Sequence, residues 1–256
     1  MNQQLSKWLV PLTPSHEADS KLFCFPYAGG GAAVYRPWGK LLPQHLQAFA
    51  VQPPGRETRF SESPLKTLAD YAAQASMAIR QACATSTKII LFGHSLGAIA
   101  AYETAKCLAQ SGPSVSLLMV SGRQDPTTMS RRLPISHLAD AEFVRQMATY
   151  NGTPAAILAN KELLDILLPM IKADFAMAEH YRLAKIDRLL TCPVVALASR
   201  QDEWLSESAV QGWAHVTEKH FELKWFEGDH FYLNQQAGKV VDFALEKIAE
   251  TTPVKS

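Results

Sequence analysis

Apolar residues along the chain follow two alternating patterns, short unbroken runs and longer stretches with helical spacing. The short runs are rich in β-branched and aromatic residues, and they predict buried strands at 22–27, 48–52, 88–92, 115–120, 194–199 and 221–226. The stretches with helical spacing predict helices at 67–84, 98–110 and 235–249. Strands that alternate with helices form a mostly parallel sheet flanked by helices on both faces. The pattern therefore predicts the α/β class.

Residues 134–181 depart from this alternation, because they are helical throughout and contain no strand-like run. They lie between the fourth and fifth predicted strands, and a helical insertion at the carboxyl end of a parallel sheet lies where ligands bind. We expect a helical lid over an apolar pocket, with Phe175 and Met177 as candidate lining residues. The alternative is an elaborated crossover whose methionines and leucines belong to the core. The chain ends, 1–20 and 251–256, are expected to be loose.

Composition narrows the class of protein further. The chain has 256 residues, of which 47% are hydrophobic, and this suits a single globular domain spanning 1–256. A formal charge of +1 argues against a nucleic-acid partner, and no apolar run is long enough to span a membrane. The N-terminus lacks signal-peptide features, and the four cysteines are scattered without metal-binding spacing. We expect a cytoplasmic monomer with free thiols and with no metal or other cofactor.

The strongest candidate for chemistry is Ser95, in the pentapeptide G-H-S-L-G at 93–97. It lies between the predicted strand 88–92 and an alanine-rich helix, and a serine on so sharp a turn is a nucleophile elbow. Glycines are expected there because side chains would collide with the neighbouring strand and helix. The positive end of the helix that follows suits a developing oxyanion. The alternative is a serine that only caps the helix.

A serine hydroxyl needs a base to take its proton, and the base needs an anion that fixes its tautomer. In this architecture both partners follow the serine along the chain, each on a loop after a strand. Among the eight histidines, His230 stands directly between the last predicted strand and the last predicted helix, so we assign it as the base. His94, which adjoins the serine, is expected to pack rather than react.

The acid that would orient His230 stays open on the residues alone. Asp202 follows the strand 194–199, and Asp125 follows a strand nearer the serine. Position favours Asp202, while Asp125 has the alternative of capping a loop. Glu203 is a further candidate, with a solvated charge as its alternative.

Backbone N–H groups are the expected oxyanion donors. One is that of Leu96, directly after the serine, and the other comes from the loop after the first predicted strand. That loop contains three consecutive glycines, which allow a close approach to substrate, and Ala28 is our candidate donor. A phosphate-binding loop is the competing interpretation, but the Lys-Ser/Thr ending of such a loop is missing.

Several motifs in a fixed order now make a family resemblance visible. The chain resembles the type II thioesterases that accompany polyketide synthases and nonribosomal peptide synthetases, a branch of the α/β-hydrolases. The match extends from about residue 20 to residue 250, and several ordered motifs are far more specific than one. Its motifs are F-P-x-A-G-G at 25–30, R-P-W at 36–38, P-G-R-x-x-R at 54–59, G-H-S-L-G-A at 93–98, G-T-P at 152–154, L-P at 168–169, A-D-F at 173–175 and G-x-H-F at 228–231.

The resemblance implies an α/β-hydrolase fold and a triad of Ser95, Asp202 and His230, which favours Asp202 over Asp125. It also implies a discrete enzyme that hydrolyses acyl groups from the phosphopantetheine arms of acyl or peptidyl carrier proteins. The usual task of such enzymes is to clear aberrant or stalled acyl units. Since such carriers tend to be acidic, we expect Arg131 and Arg132 to guide docking; the alternative is that both are solvated loop residues.

The chain departs from the family pattern at three positions near the expected site. Family members often have His at the position of Tyr27, Ser at that of Gly31 and Gly at that of Asp229. The first two lie in the expected oxyanion loop, where they bear on acyl preference, and the third adjoins the base.

Two other functions remain as alternatives. A general carboxylesterase or lipase would use the same triad and lid, but the P-G-R and lid motifs argue against it. A non-catalytic interaction module could share the fold, since fold does not fix function. The complete triad argues against that alternative.

Overall fold

The computed structural model describes residues 7–14, 18–110, 113–153 and 155–251. Its strands are β1 (Leu9–Pro11), β2 (Ser20–Phe25), β3 (Gln47–Val51), β4 (Lys88–His94), β5 (Val115–Ser121), β6 (Val194–Ser199) and β7 (Phe221–Phe226). They form one seven-stranded sheet in the order β1-β3-β2-β4-β5-β6-β7. All neighbouring strands pair in parallel except β1, which pairs antiparallel with β3 at one edge.

Helices connect the strands and cover the sheet. The α-helices are α1 (Leu68–Ala82), α2 (Leu96–Gln110), α3 (Asp140–Ala148), α4 (Ala155–Leu158), α5 (Lys161–His180), α6 (Glu207–Gln211), α7 (Tyr232–Gln235) and α8 (Ala237–Glu250). Short 3-10 helices lie at Ala32–Lys40, Glu57–Arg59 and Gly212–Val216.

Both faces of the sheet are covered by helices. Since neighbouring residues on a strand point to opposite faces, each strand contributes side chains to two apolar cores. In β4, Ile89 and Leu91 belong to one apolar core, and Ile90 and Phe92 belong to the other. Helices α1 and α2 pack on the first face, whereas α8 and the 3-10 helix Ala32–Lys40 pack on the second. A strand covered on both sides needs apolar residues at every position, which explains the unbroken apolar runs in the sequence.

The predicted α/β class is confirmed, and all six predicted strands are present. The antiparallel strand β1 was missed, since it lies in the N-terminal segment expected to be loose. A three-residue edge strand that ends in Pro11 is too short to show a period. Residues 1–6, 15–17 and 252–256, also expected to be loose, lie outside the described residues.

The segment 134–181 is helical only in part, which corrects the expectation of continuous helix. Helices α3, α4 and α5 account for most of it, but residues 149–153 form an irregular turn. A side chain at Gly152 would overlap the ring of Phe231, so the chain here packs directly against the loop after β7. The segment has an apolar cluster of its own, formed by Ile135, Phe143, Met147, Leu164, Leu168, Met170, Ile171 and Phe175.

Three features of the described residues bear on the composition-based expectations. Every helix there is too short or too polar to cross a membrane. The same residues contain no cluster of three or more His, Cys, Asp or Glu side chains suited to hold a metal ion. All four cysteines are free thiols.

Candidate active site

Ser95 occupies the sharp turn between β4 and α2. Its φ is +55°, in the left-handed region that non-glycine residues rarely adopt. Its N–H donates to the Ser121 carbonyl oxygen at 2.8 Å, which ties the turn to the neighbouring strand β5. A strained residue of this kind costs about 1–3 kcal/mol and persists because the surrounding strand and helix fix it.

The two glycines of the pentapeptide are required by close backbone contacts. A side chain at Gly93 would overlap the carbonyl group of Gly97, and one at Gly97 would overlap the carbonyl oxygen of Phe25. Strand, turn and helix can therefore approach each other only because both positions lack a Cβ atom. This contact is the physical reason for the expected G-x-S-x-G pattern.

Asp202 and His230 lie together at the carboxyl end of the sheet, after β6 and β7. The His230 Nδ1 and Asp202 Oδ2 atoms are 2.6 Å apart, and both residues are buried, at 6% and 5% exposure. The Trp204 N–H donates to the other carboxylate oxygen, Oδ1, at 3.1 Å. The Trp204 ring also packs on the His230 ring, with centroids 4.8 Å apart. The imidazole is thus held from one side by a carboxylate and from another by an aromatic face.

The other candidate acids are engaged elsewhere or face solvent. Asp125 Oδ1 accepts hydrogen bonds from the N–H and hydroxyl of Thr127 and the N–H of Thr128, so this residue caps a turn. Glu203 is exposed. Asp229 Oδ1 accepts from the Phe231 N–H at 2.8 Å, which places its carboxylate on its own turn. Only Asp202 among them forms a hydrogen bond with His230 in the structure described.

His94 packs beneath the site, as expected. It is fully buried, and its Nδ1 atom is 2.8 Å from the Ser121 hydroxyl. Burial, together with the nearby His230, holds the pKa of His94 well below its usual range, so the ring is neutral. A neutral ring at this place spares His230 a like charge as neighbour when it takes up a proton.

The loop after β2 and the start of α2 carry the two N–H groups that the sequence predicts as oxyanion donors. The Gly29 N–H donates to Asp174 Oδ2 at 2.8 Å and is therefore already committed. The Ala28 N–H has no acceptor among the described residues, and Ala28 lines the same cavity as Ser95. Leu96 is the first residue of α2, so its N–H has no acceptor within the helix.

A buried ion pair fixes the position of this loop. Arg56, in the loop after β3, contacts Asp174 on α5 through two hydrogen bonds of 2.6 and 2.9 Å. The same guanidinium donates to the Gly30 carbonyl oxygen at 2.8 Å. Both side chains are almost fully buried, at 4% and 0% exposure. Burial alone lowers the pKa of Arg56, but Asp174 more than offsets this, so the pKa is raised.

Arg56 and Asp174 both stand in motifs visible in the sequence, but sequence reasoning assigned neither residue a role. The available signal was an aspartate between the apolar residues Ala173 and Phe175 of a helix. A carboxylate at such a place needs a charged partner, since unpaired buried charges are very costly. Sequence spacing does not identify that partner, because the two residues are 118 positions apart.

Ser95, His230 and Ala28 line one small cavity beneath the segment 134–181. The cavity measures about 30 Å³, and it is further lined by Tyr27, Arg132, Met147, Tyr150, Gly152, Thr153, Ile171, Phe175 and Phe231. Phe175 therefore lies where it was expected. Met177 does not, because it packs in the core against the sheet. Residues two apart on a helix point to different faces, so one helix could not present both to the cavity.

Arg132 is not the solvated docking residue that was expected. Its guanidinium carbon lies 3.3 Å from the centre of the Tyr150 ring and 4.0 Å from that of the Trp204 ring. The ring of Phe175 is 5.3 Å away. Arg131, by contrast, is exposed. The pair therefore divides into one surface cation and one cation that lines the cavity.

Two departures from the family pattern have structural counterparts. The ring of Tyr27 lines the cavity and meets that of Phe231 edge-on, with centroids 5.1 Å apart. A side chain at Gly31 would overlap the carboxylate of Glu57. Glu57 Oε1 accepts from the Ala33 N–H at 2.9 Å and so caps the 3-10 helix that Gly31 precedes. The Glu57 carboxylate, from another loop, thus caps the helix N-terminus in the way that a serine side chain at position 31 would.

The chain is similar in sequence to known proteins. A family model described as a thioesterase domain matches residues 20–248. Gramicidin S biosynthesis protein GrsT of Aneurinibacillus migulanus is 30% identical over 246 residues, covering 96% of this chain and 95% of that protein. Thioesterase PikA5 of Streptomyces venezuelae is 34% identical, covering 92% of this chain and 83% of that protein.

Solved structures give the same result. YbtT, a type II thioesterase from the yersiniabactin NRPS/PKS biosynthetic pathway, superposes with a TM-score of 0.87 at 28% identity. That match covers 95% of this chain and 99% of YbtT. BorB, the type II thioesterase from the borrelidin biosynthetic cluster, has a TM-score of 0.84 at 32% identity, covering 93% of this chain and 96% of BorB.

Substituting Gly97 by alanine is expected to destabilise the fold strongly, because the added Cβ would overlap the Phe25 carbonyl oxygen. We expect a loss of about 1–3 kcal/mol or more in the free energy of unfolding, measured by denaturant titration. Gly238→Ala is the matched control, since nothing lies within 4 Å of its Cβ and the position is helical. It should be neutral or stabilising, and equal losses in the two variants would contradict the close-contact explanation.

Substituting Asp174 by asparagine is expected to leave the charge of Arg56 buried and uncompensated. The free energy of unfolding should fall by about 3–5 kcal/mol, again measured by denaturant titration. Asp165→Asn is the control, because Asp165 lies on the same helix but pairs with Lys161 at the surface. It should give no resolvable change, and similar stabilities for the two variants would show that the buried pair does not hold the loop.

Proposed function

The chain belongs to the thioesterase family, and on that premise we propose that it is a type II thioesterase. It hydrolyses acyl groups from the phosphopantetheine arms of carrier proteins, acting in trans in polyketide or nonribosomal peptide synthesis. The observation that carries the mechanism is the 2.6 Å contact between His230 and Asp202, beside a cavity that Ser95 also lines.

In the first half of the reaction, Ser95 Oγ attacks the thioester carbonyl carbon while His230 Nε2 takes the hydroxyl proton. The carbonyl π electrons move to oxygen, and the N–H groups of Ala28 and Leu96 stabilise that negative charge. When the carbon–sulfur bond breaks, His230 returns the proton to the pantetheine sulfur. Asp202 stabilises the imidazolium that exists between these two transfers.

In the second half, water attacks the ester formed on Ser95. His230 removes a proton from the water and then gives it to Ser95 Oγ as the carbon–oxygen bond to serine breaks. The products are the free acid and the original serine. The neutral His94 ring beneath the site leaves His230 as the one histidine that carries the proton through both halves.

The segment 134–181 acts as a lid in this proposal. A cavity of about 30 Å³ has room for about two water molecules and not for an acylated pantetheine arm. Part of the lid must therefore move for substrate entry. The Arg56–Asp174 pair anchors the lid at α5, which leaves α3 and the turn 149–153 as the part that opens.

The partner class follows from the family relatives. The name of GrsT refers to gramicidin S biosynthesis, and YbtT comes from an NRPS/PKS biosynthetic pathway. In synthesis of that kind, acyl groups are carried on phosphopantetheine. Exposed Arg131 is the remaining candidate for docking an acidic carrier protein. Clearance of stalled acyl groups, a monomeric state and a cytoplasmic location stay predictions.

The Ser95→Ala variant is expected to lose about three decades or more of kcat, because no other group at the turn can form the ester. The assay measures thiol release from an acyl-pantetheine thioester and, in parallel, free-acid release from its oxygen-ester analogue. The thermal unfolding midpoint should not change, which serves as the folding control. Retention of more than about a tenth of the wild-type rate would rule out the serine mechanism. A preference of the wild type for the oxygen ester would favour a general carboxylesterase.

The Asp202→Asn variant is expected to lose about a hundredfold or more in kcat, since an amide neither fixes the required tautomer nor stabilises the imidazolium. Asp125→Asn is the matched control, because the asparagine oxygen can still accept the turn hydrogen bonds made by Asp125. Its activity should stay close to that of the wild type. The opposite ranking in the same thiol-release assay would make our assignment of the acid wrong.

A further inference from the structure

Arg132 is a cation at the acyl cavity whose charge no carboxylate of the described residues neutralises directly. The two carboxylates that influence it most are Glu179 and Asp202. Glu179 accepts hydrogen bonds from the N–H groups of Ile135 and Ser136, at 2.9 and 3.1 Å. Asp202 is paired with His230. Both nearby anions are therefore already engaged.

The side chain of Arg132 contacts aromatic residues, and Tyr150 also forms a side-chain hydrogen bond with it. Tyr150 and Phe175 come from the lid, and Trp204 comes from the loop that carries Asp202. Ring faces attract a guanidinium by about 0.5–2 kcal/mol, which is less than a carboxylate partner provides in a dry site. The Nε atom is buried and has no hydrogen-bond partner among the residues described. An unpartnered buried donor of this kind is satisfied when a ligand oxygen reaches it.

A second guanidinium adds to the positive potential on this side of the cavity. Arg123 donates to the Ala178 carbonyl oxygen and forms no ion pair within the described part of the chain. Burial lowers the pKa of Arg123 to about 10, which leaves it charged at neutral pH. Arg132 and Arg123 repel each other, and an anion bound between Arg132 and the catalytic serine would relieve that repulsion.

We propose that Arg132 selects the acyl group, favouring short acyl groups that carry a second carboxylate, such as malonyl or succinyl. The inference rests on the proposed thioesterase function and adds the substrate class. Arg132 and Ser95 line the same small cavity, so an anion that meets this guanidinium lies close to the scissile carbonyl. The phosphate of phosphopantetheine is at the opposite end of the arm from the thioester, so the anion must belong to the acyl group.

The remaining lining residues support this selection. Phe175, Ile171 and Met147 are apolar, and a charge–charge contact in such surroundings is much stronger than one in water. A neutral acyl chain would meet the same apolar walls without the charge contact. Discrimination therefore depends on Arg132 rather than on the size of the cavity.

The test compares malonyl-, succinyl- and butyryl-pantetheine as substrates of the full-length wild type and of Arg132→Gln and Arg132→Lys. Arg145→Gln is the matched control, since Arg145 lies on α3 of the lid with its side chain 73% exposed. The measured quantity is the ratio of kcat/KM for a dicarboxylic substrate to that for butyryl. The Gln variant should lower the ratio by about tenfold or more for malonyl, succinyl or both, because it removes the charge. The Lys variant keeps the charge but loses the planar stack on Tyr150 and Trp204, so its ratio should lie between those of the wild type and the Gln variant. The control should stay within about threefold of the wild type.

Other outcomes would overturn the inference. If the kcat/KM ratio of Arg132→Gln is within about twofold of the wild-type ratio, then Arg132 does not discriminate between acyl groups. The inference also fails if the Lys variant falls as far as the Gln variant, or if the wild type hydrolyses butyryl but neither dicarboxylic substrate. The assay is repeated with 4′-phosphopantetheine thioesters to distinguish the acyl carboxylate from the phosphate. If Arg132→Gln lowers kcat/KM only for the phosphorylated substrates, and does so for every acyl group, then Arg132 binds the phosphate and the inference fails. If the wild type hydrolyses none of these thioesters, the proposed thioesterase function itself is wrong.

Discussion

The buried pair of Arg56 and Asp174 joins three parts of the chain that are far apart in sequence. Arg56 follows β3, Asp174 lies on α5 in the lid, and between them they bind the backbone of Gly29 and Gly30. The Gly29 N–H is used on Asp174, whereas the Ala28 N–H has no acceptor among the described residues and Ala28 lines the cavity. One ion pair therefore sets both the oxyanion loop and the fixed end of the lid. Both side chains are almost fully buried, so breaking the pair would leave an uncompensated buried charge.

The catalytic groups depend on the sheet in a different way. Ser95, Asp202 and His230 each follow a parallel strand, so the sheet delivers all three to one edge. The loops of Asp202 and His230 are also joined directly, since the Gln201 N–H donates to the Gly228 carbonyl oxygen. Fine positioning comes from local packing, with Trp204 holding both the carboxylate and the imidazole face. The lid closes over this edge through aromatic residues that enclose Arg132. The sheet therefore positions the proposed triad, whereas the insertion supplies the residues that we propose for substrate access and selection.

Sequence patterns were sufficient for the features that depend on local chain chemistry. The six central strands, the turn at Ser95 and the loop position of His230 follow from apolar runs and their flanking residues. The patterns were insufficient where the answer depends on contacts between distant residues. The sequence favoured Asp202 over Asp125 as the acid, but only the hydrogen bond to His230 distinguishes the two. Likewise, Met177 could be assigned to the core only once the orientation of its helix was known. Arg132 was misread as a surface charge because its three aromatic partners come from different segments.

The central claim is that an acyl group is transferred to Ser95 before water releases it. The most direct test mixes the wild-type enzyme with a slowly hydrolysed acyl-pantetheine, stops the reaction at short times and analyses the peptides by mass spectrometry. We expect the acyl mass to appear on the peptide that contains Ser95. The acylated peptide should then disappear at the rate at which the free acid forms. Turnover of the same thioester with no acylated peptide, or with the acyl group on another residue, would contradict it.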